Sequence, residues 1–136
     1  MHVENTVTLK GHASRVRSIL WSRDDMKIFT TSQDGSLFAW DILAGAIVHE
    51  VILRGAIFTS LALTPDSETV YAVTSDGVLK EIVHGRTTRE LVCPESLLTT
   101  VSLSTTAHCL LFGTQEGVLR MVTYPLVPEG TYLATI

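Results

Sequence analysis

The sequence predicts an all-β fold of about three four-stranded antiparallel sheets, arranged like consecutive blades of a ring that does not close. The first observation is a periodicity, since an offset of 42 residues places Gly35 on Gly77 and a further offset of 40 places Gly77 on Gly117. The second is that each period contains several short runs of β-forming residues, such as VRSILW at 16–21 and KIFTTS at 27–32. A period of about forty residues with several strands in it is typical of β-propeller blades.

Each period reads as three inner strands followed by an outer strand. The predicted strands are 16–21, 27–32, 37–42 and 47–53, then 58–63, 69–74, 78–83 and 87–92, then 98–103, 109–113, 118–123 and 131–135. We therefore predict one partial propeller over residues 1–136, with repeats of approximately 9–51, 52–92 and 93–136 and with 3–9 as an extra outer strand. The inner strands are apolar on both faces, so we expect them to be buried between neighbouring sheets.

The turns between the second and third strand of each period share one chemistry. SQDGS, TSDGV and TQEGV each place a glycine directly after an acidic residue. Glycine accepts a positive φ, which a tight hairpin turn requires. Gly35, Gly77 and Gly117 are therefore predicted to be turn glycines.

The first period carries the most specific pattern, because it begins with Gly11-His12 and ends with Trp40-Asp41. In this it resembles a repeat of the WD40 family, in which a Trp, a Ser or Thr, a His and an Asp form a hydrogen-bonded tetrad. The resemblance assigns these four structural roles to the following residues: His12, Thr30, Asp34 and Trp40. The Trp position holds Ile82 and Val122 in the later periods, where we expect apolar packing instead.

No pattern in the sequence predicts catalysis. The residue types of His12, of Thr30 or Ser32, and of Asp34 suit a hydrolase. The same residues fill the tetrad positions, however, and no G-x-S-x-G elbow is present. The five histidines include no pair at metal-ligand spacing. We predict a non-enzymatic protein with no catalytic residues, no metal and no cofactor.

Charge and composition exclude two classes of partner. The net charge is −4 and the ten basic residues are scattered, so we expect no nucleic-acid partner. No apolar run reaches the roughly 18 residues of a membrane helix, so we expect no membrane partner. Residues 1–10 do not resemble a signal peptide, and the two cysteines form no CxxC pair, which favours a cytoplasmic location.

Protein partners are expected at the loops. In propellers the loops on one face carry recognition, and residues just before the first strand and just before the acidic turn point toward that face. The predicted partner-binding positions are Ser14, Arg15, Gln33, Ile57, Ser75, Leu97 and Gln115. Ile57 and Leu97 are apolar there, which indicates either a contact surface or burial under a loop.

The later periods carry a more particular resemblance. SDGVLKEI at 75–82 and GVLRMVTYPL at 117–126, taken with the first period, resemble the propeller region of WD40 proteins of the ciliary axoneme. The resemblance implies a non-catalytic scaffold of the cilium or flagellum, linked to inner dynein arm assembly or docking, with axonemal proteins as partners. The alternative is a WD40 adaptor of another cytosolic complex, in trafficking or ubiquitin ligation, and an enzyme of the propeller type ranks third.

Three blades do not close a ring, since propellers typically have four to eight. The outer faces of a three-bladed segment would be exposed apolar sheet surfaces. We therefore expect the remaining blades of a longer chain, or self-assembly of several copies, to complete the ring.

Overall fold

The computed structural model describes residues 7–93, 96–106 and 108–126, together with the backbone of 132–135. Within these ranges the regular structure consists of strands, which form three antiparallel sheets of four strands each. Each sheet uses four consecutive strands in chain order, so every strand pairs with its neighbour in the sequence. The predicted fold class, an open segment of a β-propeller, is confirmed.

The strand bounds follow the predicted ones to within one residue. The first sheet contains β1 (Val16–Trp21), β2 (Lys27–Ser32), β3 (Ser36–Asp41) and β4 (Ala46–Ile52); the second contains β5 (Phe58–Leu63), β6 (Thr69–Thr74), β7 (Val78–Val83) and β8 (Arg86–Val92); the third contains β9 (Leu98–Ser104), β10 (Cys109–Thr114), β11 (Leu119–Thr123) and β12 (Tyr132–Thr135). No helix in the described ranges is long and apolar enough to cross a membrane.

The sheets stack face to face, because alternate residues of each strand point to opposite faces. In β2, Phe29 packs toward the second sheet, where it joins Ala72 and Ile82 in one apolar cluster. In β6, Tyr71 and its neighbours on the opposite face pack toward the third sheet in a second cluster. The second sheet is therefore covered on both faces, which explains the nearly continuous apolar sequence of its inner strands.

The first strand of the first sheet shows the exposed apolar surface expected of an unclosed segment. Burial between sheets, expected of inner strands in general, does not extend to its outward side chains, since Val16, Ile19 and Trp21 are 48%, 63% and 54% exposed. Their side chains share the face of the first sheet that points away from the second sheet, because Ile19 pairs with Thr30 and Trp21 with Ile28. Within the described ranges, no further sheet covers that face.

The predicted extra outer strand falls mostly outside the described residues, since 3–6 are not described. Of the remainder, residues 7–9 form no strand. Leu9 instead packs beside a small apolar cluster of Ile28, Phe38 and Trp40 on the outer face of the first sheet. The segment before β1 therefore covers the centre of this face and brings His12 over it.

The three turn glycines all adopt positive φ, at +88° for Gly35, +84° for Gly77 and +90° for Gly117. Gly35 also accepts a hydrogen bond from Leu53 N at 2.9 Å, and Gly77 accepts one from Cys93 N at 2.7 Å. These two bonds tie each turn to the connection that leads into the next sheet. The turns, the connections and the ends of the strands beside them form one edge of the stack, called here the loop edge.

Candidate functional site

A chain of polar side chains runs from the outer face of the first sheet to the loop edge. Trp40 Nε1 donates to Thr30 Oγ1 at 2.8 Å, and Thr30 Oγ1 lies 2.5 Å from His12 Nε2. His12 Nδ1 lies 2.8 Å from Ser36 Oγ, which donates to Asp34 Oδ1 at 2.7 Å. The His12 ring also stacks on Phe38, with ring centroids 4.2 Å apart and planes within 6°.

All hydrogen bonds of this network run in one direction when His12 is neutral. Ser36 donates its hydroxyl proton to Asp34, so it accepts the proton on His12 Nδ1. Nε2 of the neutral ring then accepts from the hydroxyl of Thr30, which itself accepts the indole proton. Burial of the His12 ring lowers its pKa below the usual value, although the Asp34 carboxylate acts in the opposite sense. The neutral imidazole therefore fits both its partners and its surroundings.

The network differs in one link from the tetrad of the sequence pattern. The pattern predicts a direct hydrogen bond between Asp34 and His12, whereas in the structure the hydroxyl of Ser36 lies between them. The reason is local, since Asp34 Oδ1 also accepts Ser36 N at 3.1 Å and so closes a tight turn on itself. The hydrogen bonds to Ser36 are the main reason why the pKa of Asp34 lies below its usual value. Ser36 is the member that sequence reasoning missed.

The second and third sheets have apolar side chains at the positions of Trp40 and Thr30, and Arg54 stands at the His12 position of the second period. Ile82 and Val122 take the place of Trp40 and are 3% and 1% exposed, and Ala72 and Phe112 at the Thr30 position are fully buried. Pro94, at the His12 position of the third period, lies outside the described residues. The polar network is therefore a feature of the first sheet, within the part of the chain that the structure describes.

A second histidine site bridges the first two sheets at the edge opposite the loop edge, called here the far edge. His49 of β4 stacks on His84 of the β7–β8 turn, with ring centroids 5.9 Å apart. His84 Nε2 lies 2.5 Å from the Glu68 carboxylate, and Lys27 lines the same small cavity. Burial first, and then the charges of His84 and Lys27, lower the pKa of His49.

We expect the protein to lose stability as the pH falls from 7.5 to 5. His12 and His49 have folded-state pKa values below 6.5, so the unfolded chain binds protons more readily in this range. Their contribution is complete above pH 6.5 and is lost as the pH falls through the folded-state values. Urea unfolding monitored by circular dichroism at several pH values measures the effect.

One variant checks the origin of this pH dependence. His49→Gln should flatten it, because it removes one of the two histidines with a lowered pKa. The carboxylates with lowered pKa, Asp24, Asp34 and Asp66, lose their contribution below their usual value of 3.8, so they stay out of the tested window. A wild-type stability that is constant between pH 7.5 and 5 would contradict the histidine argument.

The structure brings the predicted partner-binding residues together at the loop edge, in pairs. One backbone hydrogen bond of 2.8–2.9 Å joins the two members of each pair, one pair per sheet: Gln33 N to Arg15 O, Ser75 N to Ile57 O, and Gln115 N to Leu97 O. The same position is thus repeated three times along the stack. Ser14 precedes the first pair and is exposed.

These positions differ in exposure. Arg15, Gln33 and Gln115 are exposed, whereas Ile57, Ser75 and Leu97 are half-buried. The Arg17 guanidinium donates to Gln33 Oε1 at 2.8 Å and so holds that side chain at the edge. The sequence left open whether Ile57 and Leu97 form a contact surface or are buried. In the structure both side chains are half-buried, so each keeps some surface at the loop edge.

A groove opens at the loop edge between the first and second sheets. It encloses about 350 Å³ and is lined by Gln33, Asp34, Gly55, Ala56, Ile57 and Ser75. Its lining combines one exposed carboxylate, two polar side chains and small apolar groups, which suits a short segment of another protein. We call it the edge groove.

In the described part of the chain, no three His, Cys, Asp or Glu residues lie close enough together to hold an ion. The hydroxyls of Thr30 and Ser36 are both occupied within the polar network. The geometry of the first sheet therefore assigns these residues to holding the loop before β1 onto the sheet.

The stacked sheets and the polar network of the first one define a segment of a WD40 β-propeller. Residues 3–41 match the WD40 family described as "WD domain, G-beta repeat". Crystallised WD40 repeats of RRP9 superpose with a TM-score of 0.83 over 94% of this chain and 40% of theirs, at 15% sequence identity. Propeller repeats of this family are typical of protein-interaction scaffolds.

The chain is similar to cilia- and flagella-associated protein 57 of Mus musculus, with 32% identity over 130 residues, which cover 96% of this chain and 10% of the mouse protein. It is also similar to cilia- and flagella-associated protein 57 C of Tetrahymena thermophila, with 27% identity over 88% of this chain and 10% of that protein. The chain thus spans about a tenth of the length of these two relatives.

Proposed function

We propose that this chain is a non-catalytic protein-interaction scaffold of the ciliary or flagellar axoneme, linked to the assembly or docking of inner dynein arms. The observation that carries the proposal is the similarity to cilia- and flagella-associated protein 57 over nearly the whole chain. The similarity extends beyond the first repeat, whose pattern is general to WD40 proteins, into the two later sheets. Under this proposal the chain is cytoplasmic and resides in the axoneme.

The surface that would serve this function is the loop edge. Three equivalent positions follow one another there, with exposed polar side chains at the first (Arg15 and Gln33) and the third (Gln115), and the edge groove lies between the first two. Hydrogen-bonded turns and the polar network hold the backbone of this edge, so a partner would meet a preformed surface. Arg15 and Gln33 are both exposed, and Gln33 lines the groove.

The test compares a tagged form of the chain in ciliated cells with the same cells before ciliation. We expect the tagged protein to locate to the axoneme and to co-purify with identified axonemal proteins after crosslinking. The variant Arg15→Glu, which reverses a charge at the loop edge, should reduce this recovery at least about tenfold, as loss of a central contact does. Mass spectrometry quantifies the partners.

Arg23→Glu is the matched control, because Arg23 is exposed in the β1–β2 loop at the far edge. It reverses the same charge and should leave recovery unchanged. Recovery of a trafficking or ubiquitin-ligase complex in place of axonemal proteins would favour the adaptor alternative. Equal recovery with Arg15→Glu and Arg23→Glu would remove the loop edge from the proposal.

A further inference from the structure

A cleft lies between the second and third sheets at the far edge. It encloses about 500 Å³, within the range of ligand pockets. Its chemistry-bearing lining residues are two acids, Asp66 and Glu81, and three rings, Tyr71, His108 and Tyr124. No lysine or arginine is among the described residues that line it. The cleft therefore combines negative charge with aromatic surface.

The first interface of the same chain provides an internal comparison. The 42-residue offset aligns Phe29 with Tyr71 and Ala39 with Glu81, so the same place between the first two sheets is lined by Phe29 and Ala39. There the cavity encloses only about 30 Å³. Two neighbouring sheets therefore pack well with a phenylalanine and an alanine at these positions. The fold does not itself require the carboxylate or the larger space.

Burying a carboxylate at the position of Glu81 costs folding free energy. Glu81 is 6% exposed, and its described partners are neutral donors: Tyr71 Oη and Leu126 N at 2.8 Å on Oε2, and Thr88 Oγ1 at 2.8 Å on Oε1. Arg89 lies opposite it in register but is exposed, and no ion pair between the two is found. A carboxylate offers about four acceptor positions, so with the three donors among the described residues one position remains for a further donor.

The aromatic side of the cleft is held in place before any ligand arrives. Tyr124 Oη donates to Ser104 O at 3.0 Å, and Tyr124 N donates to His108 O at 3.0 Å. The Tyr124 ring lies 5.8 Å from Tyr71 and 5.6 Å from His108, measured between centroids. Aromatic faces beside a carboxylate attract a planar cation through the ring quadrupole and through charge.

We propose that this cleft binds a guanidinium group, presented as an arginine side chain by a partner protein. Glu81 and Asp66 accept its N–H donors, and the rings of Tyr124 and His108 pack against its planar face. The site lies at the edge opposite the loop edge and does not depend on an axonemal partner. It would give the scaffold a second, chemically distinct contact.

The test is an NMR titration of the ¹⁵N-labelled 136-residue chain with N-acetyl-arginine methylamide. We expect saturable shifts at the far edge of the second and third sheets, with a dissociation constant on the order of 1 mM for so small a ligand. The neutral citrulline analogue, nearly identical in shape, should give no saturable shifts. Equal binding of the two amides, or arginine shifts confined to other surfaces, would overturn the proposal.

Variants separate the site from general charge effects. Glu81→Gln should weaken arginine binding at least tenfold, and Glu68→Gln, which removes an exposed acid beside the first interface, should not change it. If Glu81→Gln fails to fold, Asp66→Asn at the cleft should still weaken binding several-fold. Wild-type affinity in the folded variants would remove the cleft as the site. None of these readouts involves cilia, so they stand apart from the axonemal test.

Discussion

Replacing Trp40 with alanine is expected to lower the free energy of unfolding by about 3–5 kcal/mol, the usual cost of deleting a buried aromatic side chain. Trp40 is 3% exposed and packs beside Phe38, with ring centroids 6.0 Å apart. Its loss would also take the first donor from Thr30, which is buried in the sheet. Urea unfolding monitored by circular dichroism measures the change.

Two further substitutions show how much of this loss belongs to the network. His12→Ala leaves the hydroxyls of Thr30 and Ser36 without their shared partner, which we expect to cost about 1–3 kcal/mol. Ile82→Val, at the tryptophan position of the second sheet, should cost only about 0.5–1.5 kcal/mol. Similar losses for all three variants would show that the polar network adds nothing to the stability of the first sheet.

Gly77→Ala is expected to be nearly as damaging, with a loss of about 3 kcal/mol or more from strain and overlap together. Gly77 has a φ of +84°, and a methyl group there would overlap the carbonyl oxygens of Cys93 and Ser96. Both oxygens belong to the backbone connection between the second and third sheets, so no side chain can turn away to make room. We expect the loosened connection to weaken the contact between those sheets as well.

Gly117→Ala is the matched control for this substitution. Gly117 has nearly the same φ, +90°, but nothing described lies within 4 Å of the added methyl group. Its cost should be that of the left-handed conformation alone, about 1–2 kcal/mol. Equal unfolding midpoints for the two variants would show that the contact with the connection is unimportant.

Local signals in the sequence predicted the architecture well. Acidic-glycine turns and short β-forming runs act over a few residues, and each sheet is built from strands that are adjacent in the sequence. Strand bounds were therefore predictable to within one residue. The exposure of Ile19 and Trp21 followed from the unclosed ring, because it depends on what lies against a face rather than on the strand itself.

The side-chain contacts were harder to predict because they depend on single rotamers. Ser36 enters the network only because Asp34 turns back onto its own loop, which the residue types do not reveal. The unusual position of Glu81 could have been recognised from the sequence, because the equivalent positions of the other two periods hold Ala39 and Met121. A carboxylate in an otherwise apolar column of a repeat indicates a position with more than a packing role.

Asp34 belongs both to the polar network and to the wall of the edge groove. Ligation at the groove and the folding of the first sheet are therefore thermodynamically linked. A ligand that contacts Asp34 only in the folded chain raises the unfolding free energy, by about 2.7 kcal/mol at a hundredfold excess over its Kd. A substitution at buried Trp40 that shifts Asp34 through the network also changes the wall of the groove to which that ligand binds. An almost fully buried residue can in this way influence how tightly the edge binds.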